Sequence, residues 1–310
     1  MALVEFALEP PPDRLPRPIE RAARCAMARL PGPIGELLMF GVKQGWACLF
    51  GGLMLALLLG THLVWQSDWP VHRYDALFLA AVCIQALFLA TGLETPAEAR
   101  TILLFHIVGT AMEVFKTGVG SWTYPEEALI RIAGVPLFSG FMYASVGSYM
   151  VRAMRICDMR FAHYPSRAAT VLLAVAIYVN FFSHHWILDM RWALFAATVV
   201  MYRRVAIVYT VDAAPRTMPL VVAALLTAVF LWIAENVGTA TGTWIYPGSG
   251  EWRPVSLSKY GSWYLLLYVS LVLVTLVSPP RAPSAALSVD CERSNRRSGA
   301  PPSQSIGQPP

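Results

Sequence analysis

The chain has 310 residues, of which 56% are hydrophobic and 14% are charged, and its mean hydropathy is +0.51. An ordinary soluble domain carries about 25% charged residues, so the composition excludes that class. The formal net charge of +5 comes from arginines that lie between apolar runs and near the two chain ends. We therefore expect a lipid bilayer around the protein and no nucleic acid as a partner.

Eight apolar runs follow one another along the chain, each close to the roughly 17 to 25 residues of a membrane-spanning helix. They are residues 45–65, 74–92, 101–119, 135–154, 168–185, 192–211, 218–237 and 260–277. The predicted fold class is all-α: a polytopic membrane helix bundle of about eight transmembrane helices.

The two ends of the chain differ from this apolar middle. Residues 1–40 form a Pro- and Arg-rich leader, in which residues 17–30 are either a short basic helix on the inner membrane surface or part of a disordered segment. Residues 279–310 are rich in Pro, Ser and Arg, which predicts a disordered tail.

The distribution of basic residues predicts the orientation. If the N-terminus is inside, the inner segments hold 18 of the 24 Lys and Arg residues. The positive-inside rule then makes both termini cytoplasmic. We therefore expect a multi-pass membrane protein.

One segment occurs twice. Residues 113–125 read EVFKTGVGSWTYP and residues 235–247 read ENVGTATGTWIYP, so each matching pair is separated by 122 positions. The identical pairs are Glu113/Glu235, Thr117/Thr239, Gly120/Gly242, Trp122/Trp244, Tyr124/Tyr246 and Pro125/Pro247. Both copies fall at the outer ends of predicted spans.

This spacing predicts an internal repeat of two membrane units, residues 41–154 and 155–278. A 122-residue period holds four spans, and an even number keeps both copies in the same orientation. We therefore expect two parallel four-helix repeats, related by a pseudo-two-fold axis along the membrane normal.

Several longer segments carry a family resemblance. They are GVKQGWACLF at 41–50, KTGVGSWTYPE at 116–126, VPLFSGFMYASVGSYM at 135–150, RWALF at 191–195, MPL at 218–220 and FLWIAENVGT at 230–239. Over residues 36–278 the chain resembles a bacterial membrane family known as domain of unknown function eight-one-seven. The resemblance implies a multi-pass protein of the bacterial inner (plasma) membrane and assigns no functional residues.

Glu113 and Glu235 are the candidate catalytic residues. A carboxyl group in an apolar helix is costly when it is charged, which suits a proton donor or relay. Because residues four apart share a helix face, Thr117 and Thr239 are candidate substrate-binding residues, and His106 extends the first stripe.

The aromatic residues Trp122, Tyr124, Trp244 and Tyr246 complete the candidate substrate-binding set, for a lipid or small hydrophobic ligand. A structural reading stays open beside this one. Trp and Tyr are common at the ends of spans, and the two carboxyls could accept hydrogen bonds that lock the repeats together. The sequence indicates no metal site and leaves the cofactor unknown.

Two further clusters have alternative readings. His184 and His185 end the fifth run as interfacial histidines or as metal ligands, although adjacent histidines on a regular helix cannot both face one metal. Arg203 and Arg204 lie within the sixth run. They either extend to the inner headgroups or line a polar cavity for an anionic group.

Three functions remain open at this stage. One is a membrane enzyme that acts on a lipid or isoprenoid, with Glu113 and Glu235 as acid and base. A second is a small-solute carrier with its site between two parallel repeats, although the polar groups collect at the outer ends rather than in mid-span. The third is a structural or accessory membrane protein.

The orientation is testable with reporter fusions. A reporter fused after Pro280 should behave as cytoplasmic, and one inserted at residues 248–250 should behave as external. An internal signal from the second site would contradict both the span count and the outer position of the repeated segment.

Overall fold

The computed structural model describes residues 16–27, 30–66, 68–212, 214–248 and 252–283. This part of the chain is mostly helical, with ten α-helices and five short strands. The helices are α1 Arg17–Met27, α2 Gly32–Ala47, α3 Leu49–Val64, α4 Arg73–Ala90, α5 Pro96–Gly118, α6 Phe138–Ile156, α7 Arg167–Ser183, α8 Arg191–Tyr202, α9 Leu220–Ala240 and α10 Leu257–Val277. The strands are β1 Arg131–Ile132, β2 Val135–Pro136, β3 Arg160–Ala162, β4 Ala206–Thr210 and β5 Pro215–Pro219.

Within this described part, three helices are long and apolar enough to cross a membrane, namely α4, α9 and α10. The bent pair α2–α3 makes a fourth if it counts as one span. Large apolar side chains lie on the outer surfaces of these helices; Phe230, for example, is 72% exposed. Such a surface indicates a membrane-associated protein.

Helices α5 and α6 form the closest helix pair. Thr95 and Glu98 begin α5 with reciprocal side-chain-to-backbone hydrogen bonds, a capping box. Glycines then allow the two backbones to approach: a Cβ at Gly109 would lie 2.6 Å from the Tyr143 ring, and one at Gly147 would lie 2.7 Å from Phe105. Small residues serve this purpose between membrane helices, where lipid supplies no hydrophobic drive.

The pair α5–α6 is antiparallel, with buried charges at one end. There Arg152 donates to Glu94 at 2.8 Å, and both side chains are 1% exposed. Ser148 donates to the same carboxylate at 2.8 Å, and Arg155 pairs with Glu98 at 3.0 Å. These bonds neutralise the charges, which would otherwise be costly to bury.

The sheet β3–β4–β5 follows the same end of α6 and is antiparallel throughout. Its middle strand pairs Ile207 with Phe161 on one side and with Met218 on the other. Lys43 of α2 donates to the backbone oxygens of Ile156 and Thr210, at 3.2 and 3.0 Å. These bonds tie α2, α6 and the sheet into one end of the molecule, which we call the sheet end.

The prediction of one continuous helix over 192–211 is wrong. Helix α8 ends at Tyr202, and Arg203 and Arg204 are exposed in the turn that follows. The β-branched run from Ala206 to Thr210 pairs with its neighbouring strands instead. At about 1.5 Å per residue, the 12 residues of α8 extend only about 18 Å.

The first predicted run, 45–65, is also not one straight helix. Helices α2 and α3 meet at Cys48 with a bend of 69°. The Trp46 carbonyl group beside the break accepts a hydrogen bond from Arg152 at 3.5 Å. An inserted side chain of this kind is an established cause of helix bends.

The remaining runs correspond to α4, α5, α6, α7, α9 and α10 with shifted ends. Of the two readings of residues 17–30, the structure has the short helix, as α1, which buries Ala23, and its place on the inner membrane surface stays a prediction. Predictions for residues 1–15 of the leader, for 249–251 and for the tail beyond residue 283 lie outside the described residues.

The Glu94–Arg152 pair predicts a non-additive effect on stability. Arg152→Met should lower the free energy of unfolding by about 3–5 kcal/mol, because it leaves a buried carboxylate without its cation. Adding Glu94→Gln should recover part of the loss, since no charge is then left unpaired. Denaturation of the detergent-solubilised single and double variants measures this. A double variant no more stable than Arg152→Met alone would contradict it.

Candidate functional site

The two repeated segments end their helices in the same way. Gly120 and Gly242 have φ values of +73° and +61°, the left-handed conformation that favours glycine. The next amide closes back onto the helix in each copy: Ser121 donates to Lys116 O at 2.9 Å, and Thr243 donates to Gly238 O at 3.0 Å. This is the Schellman cap, and it turns each chain back along its own helix.

In the first copy this reversal brings the aromatic residues to Glu113. Trp122 Nε1 and Tyr124 OH each donate to Glu113 Oε2 at 2.7 Å. Tyr143 OH of α6 donates to Oε1 at 2.6 Å. The side chain of Glu113 is buried, and both of its carboxylate oxygens are hydrogen-bonded.

The second copy repeats the arrangement around Glu235. Trp244 Nε1 donates to Glu235 Oε1 at 3.2 Å, and Tyr246 OH donates to the same oxygen. The indole of Trp244 lies directly over Gly238, where a Cβ would overlap the ring. Each carboxyl group therefore accepts from the Trp and Tyr of its own segment, and Glu113 also accepts from Tyr143 of α6.

The two copies also contact each other. Thr123 and Ile245, which occupy the same position in the two segments, exchange both backbone hydrogen bonds at 2.9 Å. Trp122 and Tyr246 meet edge to face with ring centroids 6.2 Å apart, and Tyr143 lies 6.2 Å from Trp263 of α10. The repeated segments thus pair antiparallel at one end of the bundle, which we call the motif end.

Helix α4 holds the two loops in place. Arg73 donates to Thr243 Oγ1 at 3.2 Å and pairs with Glu126, while Tyr74 OH donates to Thr243 O at 2.7 Å. Asp75 accepts from the backbone amides of residues 129 and 130, both at 2.8 Å. One helix start therefore fixes the loops of both copies.

Glu113 and Glu235 line one cavity of about 230 Å³ at the motif end. The predicted binding residues Trp122, Tyr124, Trp244 and Tyr246 line it as well. Burial and the neighbouring carboxylate raise the pKa of the Tyr124 and Tyr246 hydroxyl groups above its usual value. Both groups consequently stay protonated and act as hydrogen-bond donors to the glutamates.

Three cations that the sequence analysis did not include also line the cavity: Lys116, Arg191 and Lys259. Lys259 Nζ lies 4.2 Å from the centroid of the Tyr246 ring and 5.1 Å from that of Trp122. Lys116 Nζ lies 3.1 Å from His185 Nε2. In the sequence, the available signal for the two lysines was a charge within or beside an apolar run. Only the tertiary fold brings the three cations together.

His106, Thr117 and Thr239 are not among the residues that line the cavity. Since a helix has 3.6 residues per turn, the stripe that faces the cavity passes through Glu113 and Lys116, three residues apart, and leaves Thr117 to one side. His106 packs against Phe141 at 4.5 Å instead. Thr239 Oγ1 donates to the Glu235 backbone carbonyl at 3.1 Å.

His184 and His185 begin the loop between α7 and α8, and Asn180 holds this loop by hydrogen bonds. Asn180 donates to Asp189 at 3.2 Å and accepts from the Met190 amide at 2.9 Å, while His184 Nδ1 lies 3.0 Å from Asn180 O. No group of three or more His, Cys, Asp or Glu side chains suited to a metal occurs in the described ranges. His184 also lines the cavity.

The packing of Trp244 over Gly238 is testable. Gly238→Ala should displace the ring, break its bond to Glu235 and lower the melting temperature of the solubilised protein, at a cost of about 1–3 kcal/mol for overpacking. Gly118→Ala is the matched control near the end of α5, because nothing lies within 4 Å of a Cβ there. Equal melting temperatures for the two variants would contradict the assignment.

Comparison of the sequence with known proteins shows the family of this chain. The family model described as "Protein of unknown function (DUF817)" matches residues 36–271. A relative from Bacillus subtilis (strain 168), "Uncharacterized protein YoaT", is 42% identical over 242 residues, which cover 78% of this chain and 91% of that protein. No solved structure matches the chain significantly. The resemblance carried by the sequence segments is thereby confirmed, and the chain belongs to the DUF817 family.

Proposed function

We propose that this protein is a membrane-embedded enzyme that acts on a lipid or isoprenoid by proton transfer between Glu113 and Glu235. The observation that carries the proposal is the shared cavity, in which both carboxyls lie beside Lys259. A proton donor and a proton acceptor in one cavity suit general acid–base chemistry. One carboxyl group gives a proton to the substrate and the other carboxylate takes one from it, so the number of protons is conserved and no oxidant is needed.

The proposal includes a membrane topology. In it, eight crossings form two parallel four-helix units, 41–154 and 155–278, with both termini in the cytoplasm and the protein in the bacterial inner membrane. The count of 18 of the 24 Lys and Arg residues in the inner segments of the sequence supports this orientation. Arg73, Lys116, Arg191 and Lys259 lie at the motif end, whereas Lys43, Arg152, Arg155, Arg160 and Arg216 lie at the sheet end.

The internal repeat is supported by the matched caps and by the Thr123–Ile245 pairing. In the proposed topology α8 is a short crossing, whose 12 residues extend only about 18 Å, and the exposed Arg203 and Arg204 that follow it lie at the inner surface. The polar end of the cavity then opens to the outer headgroup region, and its apolar wall continues among the helices.

The two carboxyl groups have different surroundings, as a donor–acceptor pair requires. Glu113 accepts from Tyr143 in addition to its own Trp and Tyr, and Lys116 follows it on the same helix face. Glu235 has Gly238 at the position equivalent to Lys116, and its nearby cation is Lys259 of α10.

A structural role is the second candidate, because both oxygens of Glu113 already accept hydrogen bonds. Glutamine separates the two functions, since it keeps the shape of glutamate but does not titrate. At position 113 the amide oxygen can accept from Trp122 and Tyr124, while the amide nitrogen donates to the Tyr143 hydroxyl, which accepts as well as donates.

The test is complementation of a deletion strain whose lipid extracts show an accumulated substrate. Glu113→Gln and Glu235→Gln should each fail to remove that lipid while their level in the membrane stays normal. Glu127→Gln, an exposed carboxyl in the same loop as Tyr124, is the matched control and should complement. Glu113→Leu should lower the membrane level, because three donors lose their acceptor at about 1–3 kcal/mol each.

Full complementation by both glutamine variants would refute the acid–base function and favour the structural one. An unchanged lipid profile in the deletion strain, together with altered solute uptake, would favour a carrier instead.

A further inference from the structure

Two of the three cations at the cavity are lysines that no carboxylate in the described part of the chain pairs directly. The lining holds Lys116, Arg191 and Lys259 beside Glu113 and Glu235, and Arg191 pairs with Asp189 at 3.2 Å. Among the described residues, no carboxylate forms an ion pair with Lys116 or Lys259. Lys116 is 3% exposed and Lys259 lies against two aromatic rings, so neither lysine is freely solvated. Cations in such surroundings are costly without a counter-ion.

An apolar slot leads away from these cations between α5, α6, α9 and α10. Met112, Tyr143, Leu231, Trp263 and Leu266 line both the cavity and a smaller pocket of about 30 Å³ beside it. That pocket continues along α10 to Ser270 and Leu273. From Lys259 to Leu273 the helix rises about 21 Å at 1.5 Å per residue, so the cavity and the pocket together follow a large part of one span, and the pocket itself has room for the first carbon atoms of a chain.

We infer that the substrate is an amphiphile with a phosphate head group, which Lys116, Arg191 and Lys259 bind, and a hydrocarbon chain, whose first carbon atoms enter the slot beside α10. The inference rests on the proposed function and names the substrate class of the same site. Asp189 holds Arg191 through one nitrogen, the other N–H groups of the guanidinium can donate to phosphate oxygens, and the lysines add point charges. The slot favours a lipid over free phosphate, because a free anion would leave its apolar lining unused.

The placement also brings the reacting part of the substrate to the two glutamates. Glu113, Glu235 and Trp263 lie along the cavity with both the lysines and the start of the slot. A head group held by the lysines therefore sets the first atoms of the chain beside the carboxyls. Binding of a head group away from the reacting bond is a common means of orienting a substrate.

The test is equilibrium binding of radiolabelled dioleoyl phosphatidic acid to the full-length protein in phosphatidylcholine nanodiscs. Unlabelled dioleoyl phosphatidic acid should displace the label. Inorganic phosphate, which lacks the chain, and dioleoylglycerol, which lacks the phosphate, should each need at least a hundredfold higher concentration. Displacement by inorganic phosphate as effective as by the lipid would show an anion site only and would overturn the inference, as would equal displacement by dioleoylglycerol.

Variants assign the two halves of the site. Lys116→Gln and Lys259→Gln should each weaken binding at least tenfold, whereas Arg204→Gln, which removes an exposed cation outside the cavity, should not change it. Ser270→Phe should fill the slot and weaken lipid binding tenfold, with its melting temperature as the check on folding. Lysine variants that bind as well as Arg204→Gln would refute the assignment.

The binding test and the complementation test can fail independently of each other. Glutamine variants that fail to complement, combined with wild-type protein that does not bind phosphatidic acid, would retain the acid–base site and reject this substrate class. Binding of phosphatidic acid combined with full complementation by the glutamine variants would retain the binding site and reject the chemistry.

Discussion

A carboxylate buried at the end of an apolar helix has to be given hydrogen-bond donors, and this requirement explains the form of the repeated segment. The left-handed glycine ends the helix, the chain turns back, and the Trp and Tyr that follow reach the glutamate from which the segment began. Glu, Gly, Trp and Tyr are thus parts of one hydrogen-bonded unit. The pairing of the two loops and the cavity between them depend on that unit being formed twice.

The two units are alike in backbone and different in surroundings. Gly238 gives Trp244 a place against α9, whereas the equivalent residue of the first copy is Lys116, which instead faces the cavity. Tyr143 and Trp263 come from α6 and α10 and face each other across the same space. The duplicated segments therefore have the same backbone arrangement. The side chains that differ between the copies make the two carboxyl groups distinguishable.

Much of the architecture could be predicted from the sequence, because long apolar runs and the repeated segment are local signals. The same pattern marks Glu113, Glu235 and the Trp and Tyr residues as one candidate site, but it does not indicate that Trp122 and Tyr246 donate to the glutamates of their own segments. The bend at Cys48 lies beside a carbonyl group that Arg152 reaches from another helix, which no local sequence signal indicates, and an apolar run such as 206–210 suits a strand as well as a helix. The cations of the cavity come from three separate elements, so no sequence spacing relates them.

Buried charged groups have different partners at the two ends of the molecule. At the sheet end Glu94 and Glu98 each pair with an arginine, and Lys43 donates to two carbonyl oxygens. At the motif end Lys116 and Lys259 contact a histidine or aromatic rings, and the glutamates beside them take their bonds from Trp and Tyr. Also at the motif end Arg73 pairs with Glu126 and Arg191 pairs with Asp189, whereas no carboxylate among the described residues pairs with Lys116 or Lys259. Departures of this kind from full pairing are characteristic of sites where a ligand completes the set.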